Sequence, residues 1–180
     1  WWDAGLVILD ISDKSAPKLV SHLDFGSAES TATHTALPVP GRDILVVTDE
    51  QLAQECKGMQ TRVRVVDITD ETHPRVISEF PVPEGDYCLR GGRFGPHNLH
   101  EMRPGTLSDP NTMYVTWFNA GLRVIDISDA ARPREIAYYV PEAPPGRSSI
   151  QFNDVLVGAD GLVYATDRFT GGLYIMERTG

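Results

Sequence analysis

The stretch Asp126-Ile127-Ser128-Asp129 and the proline that follows it decide the fold, because closely similar stretches occur twice more in this chain of 180 residues. The three copies are Asp10-Ile11-Ser12-Asp13 with Pro17, Asp67-Ile68-Thr69-Asp70 with Pro74, and Asp126-Ile127-Ser128-Asp129 with Pro133. In each copy the proline lies seven positions after the first aspartate, and the copies begin 57 and 59 residues apart. Such a fixed spacing indicates an internal structural repeat. We place the repeats at approximately 1–58, 59–117 and 118–180.

Each copy follows a short apolar run that is rich in β-branched residues and too short for a helix, which predicts a strand. The aspartate, serine and threonine side chains of the copy favour a turn, because they can bond nearby backbone amides. The proline then opens the next strand, where a missing N–H group is tolerated. The runs before the copies are 6–9, 63–66 and 122–125, and the strands after them are 18–25, 75–80 and 134–140.

Two further strands are predicted in each unit. They cover 43–49, 112–117 and 161–167, preceded by 33–37, 96–100 and 152–156. Four short antiparallel strands that recur with Gly, Pro and Asp turns are typical of a β-propeller blade. The sequence therefore predicts an all-β fold: a single β-propeller segment over 1–180, with four-stranded antiparallel blades and about three blade-equivalents present.

The stretches Gly5 to Pro17 and Gly121 to Pro133 resemble the hallmark of the LVIVD-repeat β-propeller family, Gly-Leu-x-Val-x-Asp-Ile-Ser-Asp-x-x-x-Pro. The copy at 61–74 lacks the glycine, and a reduced copy near the C-terminus carries Glu177 in place of the aspartate. The resemblance covers the whole chain and implies a propeller that is exported from the cytoplasm. It implies no particular activity, because propellers host unrelated functions.

A closed propeller has about four to eight blades. Three blade-equivalents would leave exposed sheet faces and unpaired edges. We therefore expect a fragment whose partners are the remaining blades of the same protein. The alternative is that two copies assemble into one ring.

The charge and the motif content of the chain argue against several classes of function. The net charge of −9 and the pI of about 4.9 oppose binding to a nucleic-acid backbone, which depends on clustered lysine and arginine. No apolar run reaches the length of about eighteen residues that suggests a membrane span. The chain also lacks the Gly-x-Ser-x-Gly, P-loop, His-Glu-x-x-His and Cys-x-x-Cys motifs, which argues against standard nucleophile and nucleotide machinery.

The two cysteines, Cys56 and Cys88, fall in loops that emerge on the same face of a propeller. A disulfide between them would suit an oxidising compartment, and the alternative is two unpaired thiols in separate loops. The bridge would agree with an extracytoplasmic location, periplasmic or secreted.

Histidines form the first candidate site. His34, His97 and Asn153 align across the repeats at the start of the innermost strand, which lines the central channel of a propeller, and Asp154 follows Asn153. Neutral imidazoles with a carboxylate are good ligands for a transition metal, so His34, His97 and Asp154 are candidate metal ligands. The alternative is that these polar side chains form hydrogen bonds between neighbouring blades.

Arginines form the second candidate site. Arg90 and Arg93 lie in the loop 81–95, directly before Pro96-His97, and Arg147 lies in the equivalent loop 141–149. A guanidinium group can clamp a carboxylate or phosphate through two hydrogen bonds, so the three arginines predict a small anionic ligand at one face. The alternative is that they pair with acidic neighbours or cap carbonyls.

Two functions are consistent with these patterns. The first is an extracytoplasmic scaffold that binds a ligand or a protein with the face bearing the long loops. The second is a metal-dependent enzyme, a hydrolase or an oxidase, with a histidine site in the central channel.

Overall fold

The computed structural model describes residues 4–26, 32–58 and 60–179. Within these ranges the chain forms twelve β-strands and one short 3-10 helix, Tyr87–Leu89. The strands are β1 Leu6–Asp10, β2 Lys18–Leu23, β3 Thr33–Pro38, β4 Ile44–Asp49, β5 Val63–Asp67, β6 Arg75–Glu79, β7 Thr112–Thr116, β8 Leu122–Asp126, β9 Arg134–Tyr139, β10 Phe152–Val157, β11 Val163–Asp167 and β12 Leu173–Met176.

The strands form four small antiparallel sheets, in which each strand pairs with the next one along the chain. The sheets have the strand orders β1-β2, β3-β4-β5-β6, β7-β8-β9 and β10-β11-β12. The expectation of an all-β, antiparallel chain is thus confirmed. The repeat boundaries near residues 58 and 117 lie between β4 and β5 and between β7 and β8, so the second and third sheets each combine strands from two sequence repeats.

One predicted strand is shorter than expected. The segment 96–100 forms a single bridge, between Leu99 and Val115, at the edge of the third sheet. The N–H of His97 donates to the Thr116 carbonyl and that of His100 to the Tyr114 carbonyl, each at 2.9 Å. Pro96 has no N–H to extend this pairing at its start, and the chain turns away at 103–106. The segment still occupies the first-strand position of its sheet.

The sheets stack face to face in chain order, because both faces of the inner sheets carry apolar residues. Three hydrophobic clusters join them. Between the first and second sheets, Leu6 packs with Val47 and Val66. Between the second and third sheets, Val46 and Val65 pack with Met113 and Ile125. Between the third and fourth sheets, Tyr114 and Val124 pack with Phe152 and Val163. Each sheet is thereby fixed against its neighbour.

Hydrogen bonds at equivalent positions also join successive sheets. The Thr48 hydroxyl donates to the His97 carbonyl at 2.7 Å, and the Thr116 hydroxyl repeats this contact with Asn153 at 3.1 Å. On the outer strands, the hydroxyls of Ser21 and Ser78 donate to the carbonyls of Glu71 and Ala130, each at 2.6 Å. The same two contacts thus recur from one sheet to the next.

The repeated Asp-Ile-Ser/Thr-Asp stretches form the turns that their composition predicts. In each copy the carboxylate of the first aspartate accepts the backbone N–H two residues further on, as in the 2.9 Å bond from Ser128 to Asp126. Hydrogen bonds from Ser128, and secondarily from Arg134, lower the pKa of Asp126 to about 2. These aspartates therefore act as turn formers.

Candidate functional site

His34, His97 and Asn153 occupy the same position in three successive sheets. His34 and Asn153 lie where the pairing register shifts, next to the pairs Thr35–Thr48 and Asp154–Thr166. His97 is bonded to Thr116 in the corresponding place. Because the sheets stack in chain order, equivalent residues become neighbours. The imidazole rings of His34 and His97 are therefore only 4.3 Å apart between centroids.

One nitrogen of each imidazole is held by a hydrogen bond. Nδ1 of His97 donates to the Asn153 carbonyl at 2.6 Å. Nδ1 of His34 lies 2.8 Å from the Thr35 hydroxyl. Because Nδ1 of His97 is the donor, Nε2 of the neutral His97 ring carries a lone pair.

Both Nε2 atoms face the carboxylate of Glu50. Nε2 of His97 lies 3.6 Å from Oε1, and Nε2 of His34 lies 3.9 Å from Oε2. Glu50 is 7 % exposed and forms a 2.8 Å ion pair with Arg93, while Arg168 lies 3.7 Å from the same oxygen. We call His34, Glu50 and His97 the His–Glu cluster.

Burial is the main influence on His97 and lowers its pKa. The hydrogen bond to Asn153 and the charge of Glu50 act to raise this pKa, whereas the charges of His34 and Arg168 act to lower it further. The net shift is downward from an ordinary value of 6.5, so the ring is neutral at pH 7. A neutral ring keeps the Nε2 lone pair free to act as an acceptor or a metal ligand.

A cleft of about 620 Å³ opens beside the cluster and is lined by Glu50, Arg93, Arg147, Gln151, Arg168 and Phe169 among others. The guanidinium groups of Arg93 and Arg168 lie over the Phe118 ring at 5.6 and 5.4 Å, and that of Arg147 lies over Phe169 at 4.7 Å. We call it the arginine cleft. Three guanidinium groups meet one carboxylate there, so its charge is opposite in sign to that of the whole chain.

Backbone geometry and a disulfide position Arg93. Its N–H donates to the Gln151 side chain at 3.0 Å, and the preceding Gly92 has a φ of +76°. Cys56 and Cys88 form a disulfide with their Cα atoms 5.3 Å apart, which ties the β4–β5 loop to the loop 81–95. In addition, the N–H of Glu55 donates to the Gly92 carbonyl at 2.7 Å.

Arg90 and Asp154 lie apart from this site. Arg90 donates to the Asp86 carboxylate at 2.7 Å and stacks over Tyr87, outside the arginine cleft. Asp154 is exposed, and its carboxylate accepts the N–H of Val155. Within the described ranges, the group of potential metal ligands consists of His34, Glu50 and His97, without Asp154.

Sequence reasoning missed Glu50 and Arg168. Both lie two residues after an aligned threonine, Thr48 and Thr166, and Phe118 holds the same position after Thr116. Extending the repeat alignment by two residues would have found all three as equivalent. Stacking of the sheets brings them together, with Glu50 near Arg168 and Arg168 over Phe118.

The fold and the site define an all-β repeat protein whose stacked antiparallel sheets carry a cleft lined by three arginines and one carboxylate. The LVIVD repeat family matches residues 1–24 and 111–140, which contain the two complete signature stretches. Two segments of the chain therefore match the LVIVD repeat.

The fold is similar to that of a solved structure, the periplasmic gluconolactonase PpgL of Pseudomonas aeruginosa. The two are 18% identical with a TM-score of 0.59, and the match covers 97% of this chain and 50% of that chain. The chain thus spans about half the length of the protein it matches, and at this identity the likeness concerns the fold alone. No curated protein matches significantly. In the described residues, no helix has the length and apolar character needed to span a membrane.

Proposed function

We propose that the four sheets are consecutive blades of a β-propeller that binds a small anionic ligand in the arginine cleft, in an extracytoplasmic compartment. The propeller arrangement is supported by the chain-order stacking of the sheets and by the contacts that recur at equivalent positions between them. Antiparallel sheets arranged around an axis place equivalent inner-strand residues close together. The proximity of His34 and His97 is in keeping with that arrangement.

The exposed face of the fourth sheet supports the presence of a further blade. Leu173 and Ile175 are 57% and 60% exposed, whereas the equivalent residues of the two preceding sheets are buried: Val63, Val65, Leu122 and Val124. Thr166 is also exposed, while Thr48 and Thr116 are fully buried. A further sheet of the same repeat type would cover this face, supplied by the same protein or by a second copy. The mass of the native protein separates these two sources.

The observation that carries the ligand proposal is the excess of positive charge in the cleft. Glu50 is paired with Arg93, and among the described residues no acidic side chain pairs with Arg147. A guanidinium group with spare donors binds carboxylate and phosphate oxygens well. The ligand class is therefore a small carboxylate or phosphate.

An extracytoplasmic location is supported by two observations. The Cys56–Cys88 disulfide is of the kind that persists in oxidising compartments. The structural neighbour is described as periplasmic. Both agree with the location implied by the family resemblance.

Titration calorimetry with two probes tests the anion site: gluconate, chosen because the structural neighbour is a gluconolactonase, and inorganic phosphate. We expect the wild-type chain to bind at least one of them, and Arg147→Gln and Arg168→Gln each to weaken that binding about tenfold or more, since a hydrogen bond to a charged group contributes roughly 1.5–3 kcal/mol. Arg132→Gln, in the exposed β8–β9 turn, is the control and should bind as the wild type does. Equal affinities in all four proteins, or no binding of either probe, would refute the proposal.

The second candidate function, a metal-dependent hydrolase or oxidase, is favoured by one observation. The ligand atoms of His34, Glu50 and His97 lie within 4.8 Å of one another, at the edge of the cleft. That function requires a metal ion at the His–Glu cluster.

A further inference from the structure

We propose that His34, Glu50 and His97 bind one divalent transition-metal ion, and that the anion in the arginine cleft completes its coordination. The first half concerns the His–Glu cluster alone, whereas the second half rests on the anion site proposed above. The ligand set, two imidazoles and one carboxylate, is one that zinc and non-haem iron sites use, and it leaves coordination positions for a further ligand.

The spacing of the donor atoms fits such an ion. For metal–ligand bonds of about 2.0–2.1 Å, tetrahedral donors lie about 3.3 Å apart. The two measured separations from the Glu50 oxygens are 3.6 Å to His97 and 3.9 Å to His34. All three ligand atoms lie within 4.8 Å of one another, so side-chain movements of up to about an ångström would close the site. His34 is the more exposed of the two histidines and has the freedom to make the larger adjustment.

The hydrogen bonds argue against a purely structural role for the cluster. Both separations exceed the range of a hydrogen bond, so the imidazoles face the carboxylate without bonding to it. At the same time the other ring nitrogens are held by the Asn153 carbonyl and the Thr35 hydroxyl. A metal-bound histidine is oriented in the same way, by a hydrogen bond from its second nitrogen to a neighbouring oxygen.

Charge balance explains why the anion belongs to the site. Two guanidinium groups, Arg93 and Arg168, approach the single carboxylate of Glu50. A dication placed there would be repelled by a net positive surround, because charges a few ångströms apart interact strongly near a protein surface. An anion bound between the metal and the arginines removes that repulsion. Metal and anion must then favour each other's binding by the same factor.

Cobalt(II) titration of the full chain tests the proposal, with visible absorption reporting the ligand field and calorimetry the stoichiometry. The anion probe is sulfate, which leaves cobalt in solution. We expect one bound ion per chain, with an affinity that sulfate raises at least about fivefold. His34→Gln and Glu50→Gln should each weaken binding more than about 100-fold, since even loss of an outer-shell partner costs 10–100-fold.

Two matched variants give the controls. His73→Gln removes an exposed histidine from the β5–β6 turn and should change nothing. Arg147→Gln lies outside the cluster and should keep cobalt binding without sulfate but lose its enhancement by sulfate. His34→Gln should unfold at the wild-type temperature, because His34 is partly exposed and its described side-chain hydrogen bond is with the neighbouring Thr35.

The outcomes separate the two halves of the proposal. No cobalt binding with sulfate present, or binding that survives in both His34→Gln and Glu50→Gln, refutes the metal site, even if sulfate still binds in a manner sensitive to Arg147→Gln. Stoichiometric cobalt binding that sulfate does not affect refutes the link to the anion and leaves the metal site standing.

Discussion

At the residue scale, the backbone geometry requires a glycine at the first position of the LVIVD signature. Gly5 and Gly121 have φ values of +76° and +78°, and a Cβ atom at either one would collide with a backbone carbonyl oxygen, that of Leu23 or of Tyr139. The second copy has Arg62 at this position, where the backbone does not adopt a positive φ. The longer β4–β5 loop provides another path into the strand there. The missing glycine in that copy therefore follows from a difference in loop length.

Replacement of Gly121 by alanine should destabilise the fold through both strain and collision. A left-handed conformation costs a non-glycine residue about 1–3 kcal/mol, and the Tyr139 carbonyl cannot rotate away as a side chain would. Gly161→Ala is the control, because Gly161 has a φ of +83° with open space around it. Urea denaturation should show a clearly larger loss for Gly121→Ala than for Gly161→Ala; equal losses would mean that the collision is relieved.

His100 should make the stability of the fold depend on pH. It is buried, accepts the N–H of Val157 and donates to the Leu107 carbonyl. Burial is the main influence on His100 and lowers its pKa, and the charge of Arg103 lowers it further. The hydrogen bond to Leu107 and the charge of Glu101 act in the opposite direction. Because the folded value lies below the ordinary 6.5, the unfolded chain takes up this proton first as the pH falls.

The contribution of His100 to stability is therefore complete above pH 6.5 and is lost as the pH drops from there to its folded pKa. Unfolding free energies measured between about pH 8 and pH 5 should fall less steeply for His100→Gln than for the wild type. His73→Gln, in an exposed turn, serves as the control. Identical pH slopes for His100→Gln and the wild type would contradict the assignment.

At the element scale, equivalent arginines on β5 and β8 hold the ends of the strands next to the site. Arg64 donates to both carboxylate oxygens of Asp49 at 2.8 Å, in a fully buried contact beside Glu50. Arg123 donates to the Ala120 carbonyl and to the Tyr87 hydroxyl. Burial raises the pKa of Asp49, while the hydrogen bonds and charge of Arg64 oppose that rise. Arg64 therefore favours the ionised form of this carboxylate.

Arg64→Met should cost roughly 3–5 kcal/mol, because it leaves the buried Asp49 carboxylate without its charged partner. The double variant Arg64→Met with Asp49→Asn should recover part of this loss. Arg75→Met breaks the exposed ion pair with Asp67 and should cost only a small fraction of that free energy. Thermal or denaturant unfolding of the three variants measures the difference. If Arg64→Met lowered the unfolding free energy no more than Arg75→Met does, Arg64 would be dispensable for stability.

The disulfide should couple stability to ligand binding. It closes a loop with a sequence separation of 32, and it joins the β4–β5 loop to the segment that carries Arg93. Replacement of Cys56 and Cys88 by serine should lower the unfolding free energy by roughly 3–4 kcal/mol. It should also weaken anion binding, because the position of Arg93 becomes less defined. A reducing agent should reproduce both effects in the wild type and none in the serine variant.

At the scale of the whole molecule, both ends of the stack expose apolar sheet faces. On the first sheet Leu9 and the following Ile11 are exposed, whereas the equivalent Ile125 and Ile127 of the third sheet are fully buried. The fourth sheet exposes Leu173 and Ile175 in the same way. Stacking therefore buries the same positions wherever a neighbouring sheet is present. The charge is also unevenly distributed, since this acidic chain places three arginines and one carboxylate around the arginine cleft.

Ile175→Glu should destabilise the native protein by more than about 2 kcal/mol if a further sheet covers the fourth one, because a carboxylate would then be buried without a partner. Leu89→Glu, at the last residue of the 3-10 helix, where the residue is 88% exposed, is the control and should have little effect. Thermal unfolding measures the loss, and light scattering shows whether the covering sheet belongs to a second copy. A harmless Ile175→Glu would mean that this face remains in solvent.

The sequence by itself determined the strands other than 96–100, the turns and the equivalence of His34, His97 and Asn153, because turn chemistry and alternating apolar residues act over a few neighbouring positions and repeat with them. Only the tertiary structure decided which side chains form the site. Stacking of the sheets brings the Glu50 carboxylate opposite the Nε2 atoms of the two imidazoles and Arg168 beside it. Local hydrogen bonds in their own segments hold Arg90 and Asp154 elsewhere. Contacts between distant segments depend on how complete sheets pack and how the loops are tied, and no local pattern contains that information.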